Sequence, residues 1–260
     1  MCLITFAWNP TPKLRLLVVA NRDEFHARPS APLATWAERP DLIAGRDVEA
    51  QGTWLGLSTR GRLAAVTNVR LPGLMRTGLR SRGELAQDFL AGSVTPDAHL
   101  LALQPQFAEY GPCNLLLADV TQACYASNRP GVPMQRLRDG LYGLSNAALD
   151  TPWPKTTQLK AVVSRWIAAG AIDDLNPLFA ALADDRTPPD EALPNTGVGL
   201  ARERLVAPAF IRGREYGTRC STVVRVDAAG EGLIIERRFG PDGVAAGESR
   251  IEFRWPVRGL

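Results

Sequence analysis

Residues 2–24 read CLITFAWNPTPKLRLLVVANRDE, and the fold follows from how this stretch pairs with itself. Residues 2–8 (CLITFAW) are an apolar run of strand length, bounded by turn residues in Asn9-Pro10-Thr11-Pro12. Residues 14–20 (LRLLVVA) supply the antiparallel partner. With the turn centred near Thr11, Cys2 falls opposite Ala20 or Asn21. The polar run Asn21-Arg22-Asp23-Glu24 is thereby delivered beside the second residue of the chain. Strand side chains alternate between faces, so Asn21 and Asp23 share one face, and Arg22 and Glu24 share the other.

That delivery gives Cys2 a chemical meaning. A small second residue permits removal of Met1, after which Cys2 carries both a thiol and a free α-amine. A thiol has a pKa of about 8.5 and an α-amine one of about 7.7–8.0, so near neutral pH the amine can take the proton of its own side chain. This is the N-terminal-nucleophile form of covalent catalysis. Only Met1 precedes Cys2 in the sequence, so an aminopeptidase would suffice for processing. The competing reading is a small buried hydrophobe. A terminal ammonium also needs a carboxylate to orient it, and Asp23 is the candidate.

Further along, residues 53–58 and 63–70 read as a second hairpin that ends in Asn68 and Arg70. Ser81 to Ala91 reads as a helix. Thr95-Pro96 starts another, which runs towards Tyr110 and is broken by Pro105. Strands are predicted at 114–119, 123–127 and 141–145, and helices at Thr151–Gly170 and Leu175–Ala183. Residues 186–197 are a Pro-rich loop, and the last strands are 219–227, 232–239 and 250–257. With no internal repeat and no break in composition, residues 1–260 read as one domain. Strands at both ends around central helices predict an α+β layered fold.

Composition narrows the function. The chain has 260 residues, 45% apolar, and a net charge of +3. Its basic residues are arginines apart from Lys13, Lys155 and Lys160. They are scattered, which disfavours a nucleic-acid partner. Cys2, Cys113, Cys124 and Cys220 include no CxxC pair, so neither a disulfide scaffold nor a zinc site is expected. His26 and His99 leave little for a Ser-His-Asp triad. No apolar run approaches the about 20 residues of a membrane span, and no signal peptide is evident. The expected location is the cytoplasm, with no cofactor and no metal. Oligomeric state is left open.

Four further polar residues stand out. Asn68 closes a strand of small apolar residues, where its amide either satisfies backbone or donates to an oxyanion. Asn146 in Gly143-Leu144-Ser145-Asn146 sits at a strand end, where a turn role is the common explanation. Arg219 in Tyr216-Gly217-Thr218-Arg219 either holds a carboxylate, or steadies the surroundings of the nucleophile, or pairs with Asp227 or Glu236 on the surface. Cys220 reads as inert packing.

Taken in order, these segments resemble the NRDE family, also named for transport and Golgi organisation. The resemblance rests on Met1-Cys2-Leu3-Ile4, Asn21-Arg22-Asp23-Glu24 with Arg28-Pro29, Gly52-Thr53-Trp54-Leu55-Gly56 and Ala65-Val66-Thr67-Asn68-Val69-Arg70. It continues through Ser81-Arg82-Gly83, Gly143-Leu144-Ser145-Asn146, Trp153-Pro154-Lys155 and Tyr216-Gly217-Thr218-Arg219. The family in turn is similar to the Ntn hydrolases, and within them to the choloylglycine hydrolase and penicillin V acylase branch. The resemblance implies a four-layer αββα sandwich of two antiparallel sheets, and hydrolysis of linear, non-peptide amides by a processed cysteine. It implies catalytic roles for Cys2, Asp23, Asn68, Asn146 and Arg219. Asn21, Arg22, Glu24 and Arg70 are expected to line the substrate site. Where that branch carries an arginine before the strand-end asparagine, Ala20 stands here. The alternative implied by the family is a non-catalytic binding or trafficking protein for haem or acyl-CoA and lipid ligands. The expected partner is thus a small amide or acyl ligand, or haem.

Overall fold

The opening hairpin forms, with its reversal one step later than the proline pair suggests. The computed structural model describes residues 2–70 and 79–257; Met1, on which the processing expectation rests, lies outside them. Strand β1 (Cys2–Thr11) pairs antiparallel with β2 (Leu14–Phe25), and the chain turns at Pro12-Lys13. Asn9, at φ 40°, absorbs a bulge between Trp8 and Thr11. A bulge leaves Pro10 without a ladder bond to miss, so β1 continues through the segment expected to turn. Cys2 therefore faces Arg22, rather than Ala20 or Asn21. Directly paired residues share a face, so the thiol lies on the Arg22 side of the sheet.

Among the described residues, eleven further strands complete two sheets. These are β3 (Ser30–Trp36), β4 (Arg39–Asp47), β5 (Leu55–Ser58), β6 (Arg62–Asn68), β7 (Cys113–Ala118), β8 (Ala123–Ser127), β9 (Gln135–Leu137), β10 (Gly140–Leu144), β11 (Tyr216–Asp227), β12 (Glu231–Phe239) and β13 (Ala245–Arg254). One sheet runs β10-β1-β2-β11-β12-β13 and the other β3-β4-β5-β6-β7-β8-β9. The helices are α1 (Arg82–Ala91), α2 (Pro96–Leu103), α3 (Pro154–Ala169), α4 (Asn176–Leu182) and α5 (Leu200–Val206). Among the described residues, no helix is long and apolar enough to cross a membrane.

Three apolar layers separate four layers of structure. Between the sheets, Ile4, Phe6, Trp8, Leu16 and Val18 meet Leu57, Leu63, Leu116 and Tyr125. On the outer face of the first sheet, Leu3, Ala7, Leu17 and Val19 pack under Leu159, Val163 and Trp166 of α3 and Leu178 and Leu182 of α4. On the outer face of the second, Leu85 and Phe89 of α1 and Leu100 of α2 cover Leu42, Ala64 and Leu115. This is an α+β αββα sandwich. It also explains why CLITFAW and LRLLVVA are continuous apolar runs: β1 and β2 are buried on both faces.

Several boundaries differ from expectation for local reasons. Helix α3 starts at Pro154 rather than Thr151, because Trp153, the residue before Pro154, is held extended. It ends at Gly170, at φ 69°. Strand β5 starts at Leu55, since Gly52 and Thr53 cross the first turn of α1, where Thr53 N donates to Gly83 O at 3.3 Å. Past Leu103 the chain tightens into a 3-10 turn over Gln104–Glu109.

Candidate active site

The first sheet delivers Cys2 to the wall of a polar cavity of about 160 Å³. Arg22, Glu24, Asp47, Trp54 and Asn68 share that wall, as do Ser81 and Arg82. The Arg22 guanidinium lies 4.2 Å over the Trp54 ring, with Nη2 3.6 Å from Asp47 Oδ2. Asp47 also accepts from Arg28 Nε at 2.6 Å, which holds its carboxyl below the usual carboxylate range against the effect of burial. Ser81 caps α1 by accepting from Gly83 N at 3.3 Å. Ser81→Ala should therefore destabilise the fold by about 1 kcal/mol, visible as a thermal midpoint lower by a few degrees; an unchanged midpoint would contradict the cap.

Asp23, next along β2 and on its opposite face, also borders the cavity and is 1% exposed. Its Oδ1 accepts from the Thr218 hydroxyl at 2.7 Å, and its carbonyl from the Tyr216 hydroxyl at 3.1 Å. Burial pushes the Asp23 carboxyl up, opposed by the charge of Lys155 and by the Thr218 bond. The Cys2 thiol is also pushed up, by burial first and then by the Asp23 charge, while Arg22 acts in the opposite sense. A nucleophile here needs a nearby proton acceptor or an added positive charge.

The remaining candidates divide. Asn68 stands half-buried on the cavity wall at the end of β6. Asn146 sits one step back: its Nδ2 donates to Asn68 O at 2.7 Å, and it does not line the cavity. Neighbouring Ser145 donates to Cys2 O at 2.8 Å, so this strand end fixes both Cys2 and Asn68. Asn21 commits both amide protons to backbone, at Leu182 O (2.8 Å) and Ala209 O (2.7 Å), and accepts from Ser221 Oγ. It anchors the helical layer and has no amide proton left for a substrate. Glu24 faces the cavity.

Arg70 points away from the cavity, into a closed ion pair with Glu203 and over the Trp153 ring at 4.6 Å. Arg219 occupies the β11 bulge between Thr218 and Cys220. Its Nη1 donates to Phe25 O (2.8 Å) and Arg28 O (3.0 Å), bracing the loop after β2. The anticipated surface partners are otherwise engaged: Glu236 takes Leu33 N at 2.9 Å, and Asp227 takes Glu231 N at 2.9 Å. Among the described residues, no cluster of three or more His, Cys, Asp or Glu side chains could hold a metal. Sequence reasoning assigned no role to Asp47, Trp54 or Ser81, nor to Lys155. The first three sit at a strand end, in a loop and at a helix cap, and their meeting depends on how the sheets stack.

A family model described as Transport and Golgi organisation 2 matches residues 1–241. The Bos taurus Transport and Golgi organization protein 2 homolog is 36% identical over 274 residues, covering 98% of this chain and 99% of its own. The Homo sapiens homolog is 35% identical over 96% and 97% of the two chains. The Drosophila melanogaster protein is 24% identical over 91% of each. Among solved structures, a Caenorhabditis elegans N-acylethanolamine-hydrolyzing acid amidase ortholog aligns over 85% of this chain and 92% of its own, with TM-score 0.48 and 11% identity. A mutant conjugated bile acid hydrolase from Clostridium perfringens aligns over 100% of both chains, with TM-score 0.48 and 9% identity. The match across nearly the whole chain decides the family: this protein belongs to the Transport and Golgi organisation 2 family.

Proposed function

We propose that the protein is an N-terminal-cysteine amidohydrolase acting on linear, non-peptide amides. One observation carries the reading: Cys2 sits half-buried on the wall of a polar cavity, at the open end of a strand, with Asp23 behind it and Asn68 beside it. With Met1 removed, the Cys2 amine takes the thiol proton and the thiolate attacks the acyl carbon. The side-chain amide of Asn68 donates to the oxyanion, a contribution worth about 3–4 kcal/mol where it can be measured in other enzymes. As the C–N bond breaks, the ammonium returns its proton to the leaving amine. Water, deprotonated by the same amine, then attacks the thioester, releasing the acid and restoring the thiol.

Asn146 supports this scheme by fixing Asn68 rather than by touching the substrate. Arg219 supports it by bracing the cavity loop. The test is incubation of the purified protein with a panel of N-acyl amides and an activated acyl ester. The expected result is an acyl mass on the Cys2 peptide and release of free amine. An adduct that forms nowhere, or on another cysteine, would overturn the reading.

A second reading, a binding protein for an acyl ligand or haem, is favoured by a different observation. Burial pushes the thiol up, and the cavity is bordered by charged residues of both signs, Arg22, Arg28 and Arg82 with Asp23, Glu24 and Asp47. Such a polar site can hold an acyl ligand without needing turnover. Calorimetric binding of an acyl-CoA, or a Soret shift with haem, in the absence of amine release would favour it. The absence of both signals would remove it.

A further inference from the structure

Cys2 stands at a junction between two unlike spaces. On one side lies the polar cavity of about 160 Å³. On the other, between the sheets, lies a recess of only about 10 Å³, walled by Ile4, Ala20, Leu55 and Thr222. Cys2, Arg22 and Trp54 border both spaces. Asn68, the proposed oxyanion donor, borders the cavity and not the recess.

The recess keeps its size because its walls belong to the sheets. Ile4 and Ala20 are cross-strand partners on β1 and β2, and Thr222 of β11 pairs with Ala20 from the other side. Leu55 meets them from β5 of the facing sheet. None of the four is more than 6% exposed. Trp54 is pinned as well. The Arg22 guanidinium covers its ring at 4.2 Å, and the ring edge lies so close to Gly45 of β4 that a Cβ there would come within 2.5 Å of it. A close-packed wall of this kind does not swing aside for a ligand. A space of about 10 Å³ accepts one water-sized group. A methyl group meets that limit, and a longer alkyl chain exceeds it.

The two spaces also divide an amide between them. The amine has to leave and water has to enter, and both need the cavity side, where Arg28 and Asp47 are partly exposed. The acyl group stays bonded to sulfur through the reaction. An apolar acyl group is stabilised in the recess and gains nothing among the charges of the cavity.

We propose that the recess takes the methyl of an acetyl group, so that the substrates of this site are N-acetyl amides rather than long-chain N-acyl amides. This rests on Cys2 being the nucleophile, and it names the substrate class of that same site.

The experiment compares p-nitrophenyl acetate, butyrate and octanoate as acyl donors to folded full-length protein. The thiolate attacks the acyl carbon, an S–C bond forms, the ester C–O bond breaks, and nitrophenolate leaves with the electron pair. The rate is read from nitrophenolate release and from acyl mass on the Cys2 peptide, each divided by the rate of free cysteine with the same ester. Acetate should acylate Cys2 at least about tenfold faster than butyrate, with octanoate slower still, because each methylene that a pocket must exclude is worth about tenfold or more. Leu55→Ala enlarges the recess and should bring butyrate to within about threefold of acetate. Ala20→Val fills it and should slow acetate by about tenfold. Ile4→Val, a smaller change in the same wall, serves if Leu55→Ala does not fold. A wild-type rate that is level or rises with chain length would overturn the proposal, as would an acetate-to-butyrate ratio left unchanged in the enlarged variant. A Cys2 that takes no acyl group from any of the esters would instead remove the nucleophile reading itself.

Discussion

Cys2→Ala is expected to lower amide hydrolysis by on the order of 10³-fold or more, and to abolish acyl capture, while leaving a folded protein. The size of the loss follows from the chemistry. With the sulfur gone, Asn68 and the cavity can still bind and polarise an amide, but no covalent step remains. Cys2→Ser should be nearly as inactive, since a hydroxyl is far harder to deprotonate than a thiol. The side chain lies at the first residue of β1 and is half-buried, so the substitution removes little packing, and circular dichroism should show an unchanged fold. Cys113→Ala is the matched control. That thiol is fully buried in the layer under α1 and is pushed up to about 12 by burial, so it has no thiolate to contribute. Turnover by Cys2→Ala above a few per cent of wild type would contradict the mechanism.

The second large effect concerns stability rather than chemistry. Glu203→Ala leaves the Arg70 guanidinium buried without its carboxylate, the pair being 8% and 4% exposed. Removing one partner of a buried ion pair costs about 3–5 kcal/mol. The Thr196 hydroxyl and amide also lose their acceptor. At about 2–4 °C per kcal/mol for a chain of this size, the thermal midpoint should fall by about 10 °C, read by calorimetry. Replacing both partners together, Arg70→Met with Glu203→Leu, should recover much of the loss, because no uncompensated charge remains. A drop of under about 2 °C for Glu203→Ala would mean that the pair is open to water. The same pair explains why Arg70 lines no substrate cavity, although its place beside Asn68 in the sequence suggested that it would.

What the sequence disclosed, and what it hid, divides along physical lines. The two central strands were legible because burial on both faces writes an uninterrupted apolar run. Helix α3 was legible because its stripe of Leu159, Val163 and Trp166 repeats at helical spacing. Strand β3 was not: Pro32 and the exposed Ala34 and Thr35 give an edge strand the composition of a loop. The register of the first hairpin was missed because a single left-handed residue, Asn9, carries β1 past a sequence that looks like a turn. That shift decides which face the thiol shares, and it puts Cys2 with Arg22 rather than with Asp23.

Within the site, order along the chain located the strand ends but not the direction of each side chain. Asn68 and Asn146 read alike in sequence, yet the second donates its amide to the backbone of the first. Arg219 reads as a site residue because it precedes a late strand; the bulge there directs it to the loop carbonyls. Lys155 was quoted only as part of a motif. Its burial depends on the carbonyl of Val206, 51 residues away, which accepts from its ammonium. No local pattern of residues encodes such a contact.

The central claim is that Cys2 carries an exposed amine and the most reactive thiol of the chain. It is tested most directly by intact mass of the purified protein, followed by brief thiol labelling near about pH 8 and peptide mapping. The account predicts a chain lacking Met1, with one label confined to Cys2. A retained Met1, or labels shared equally among Cys2, Cys113, Cys124 and Cys220, would contradict it.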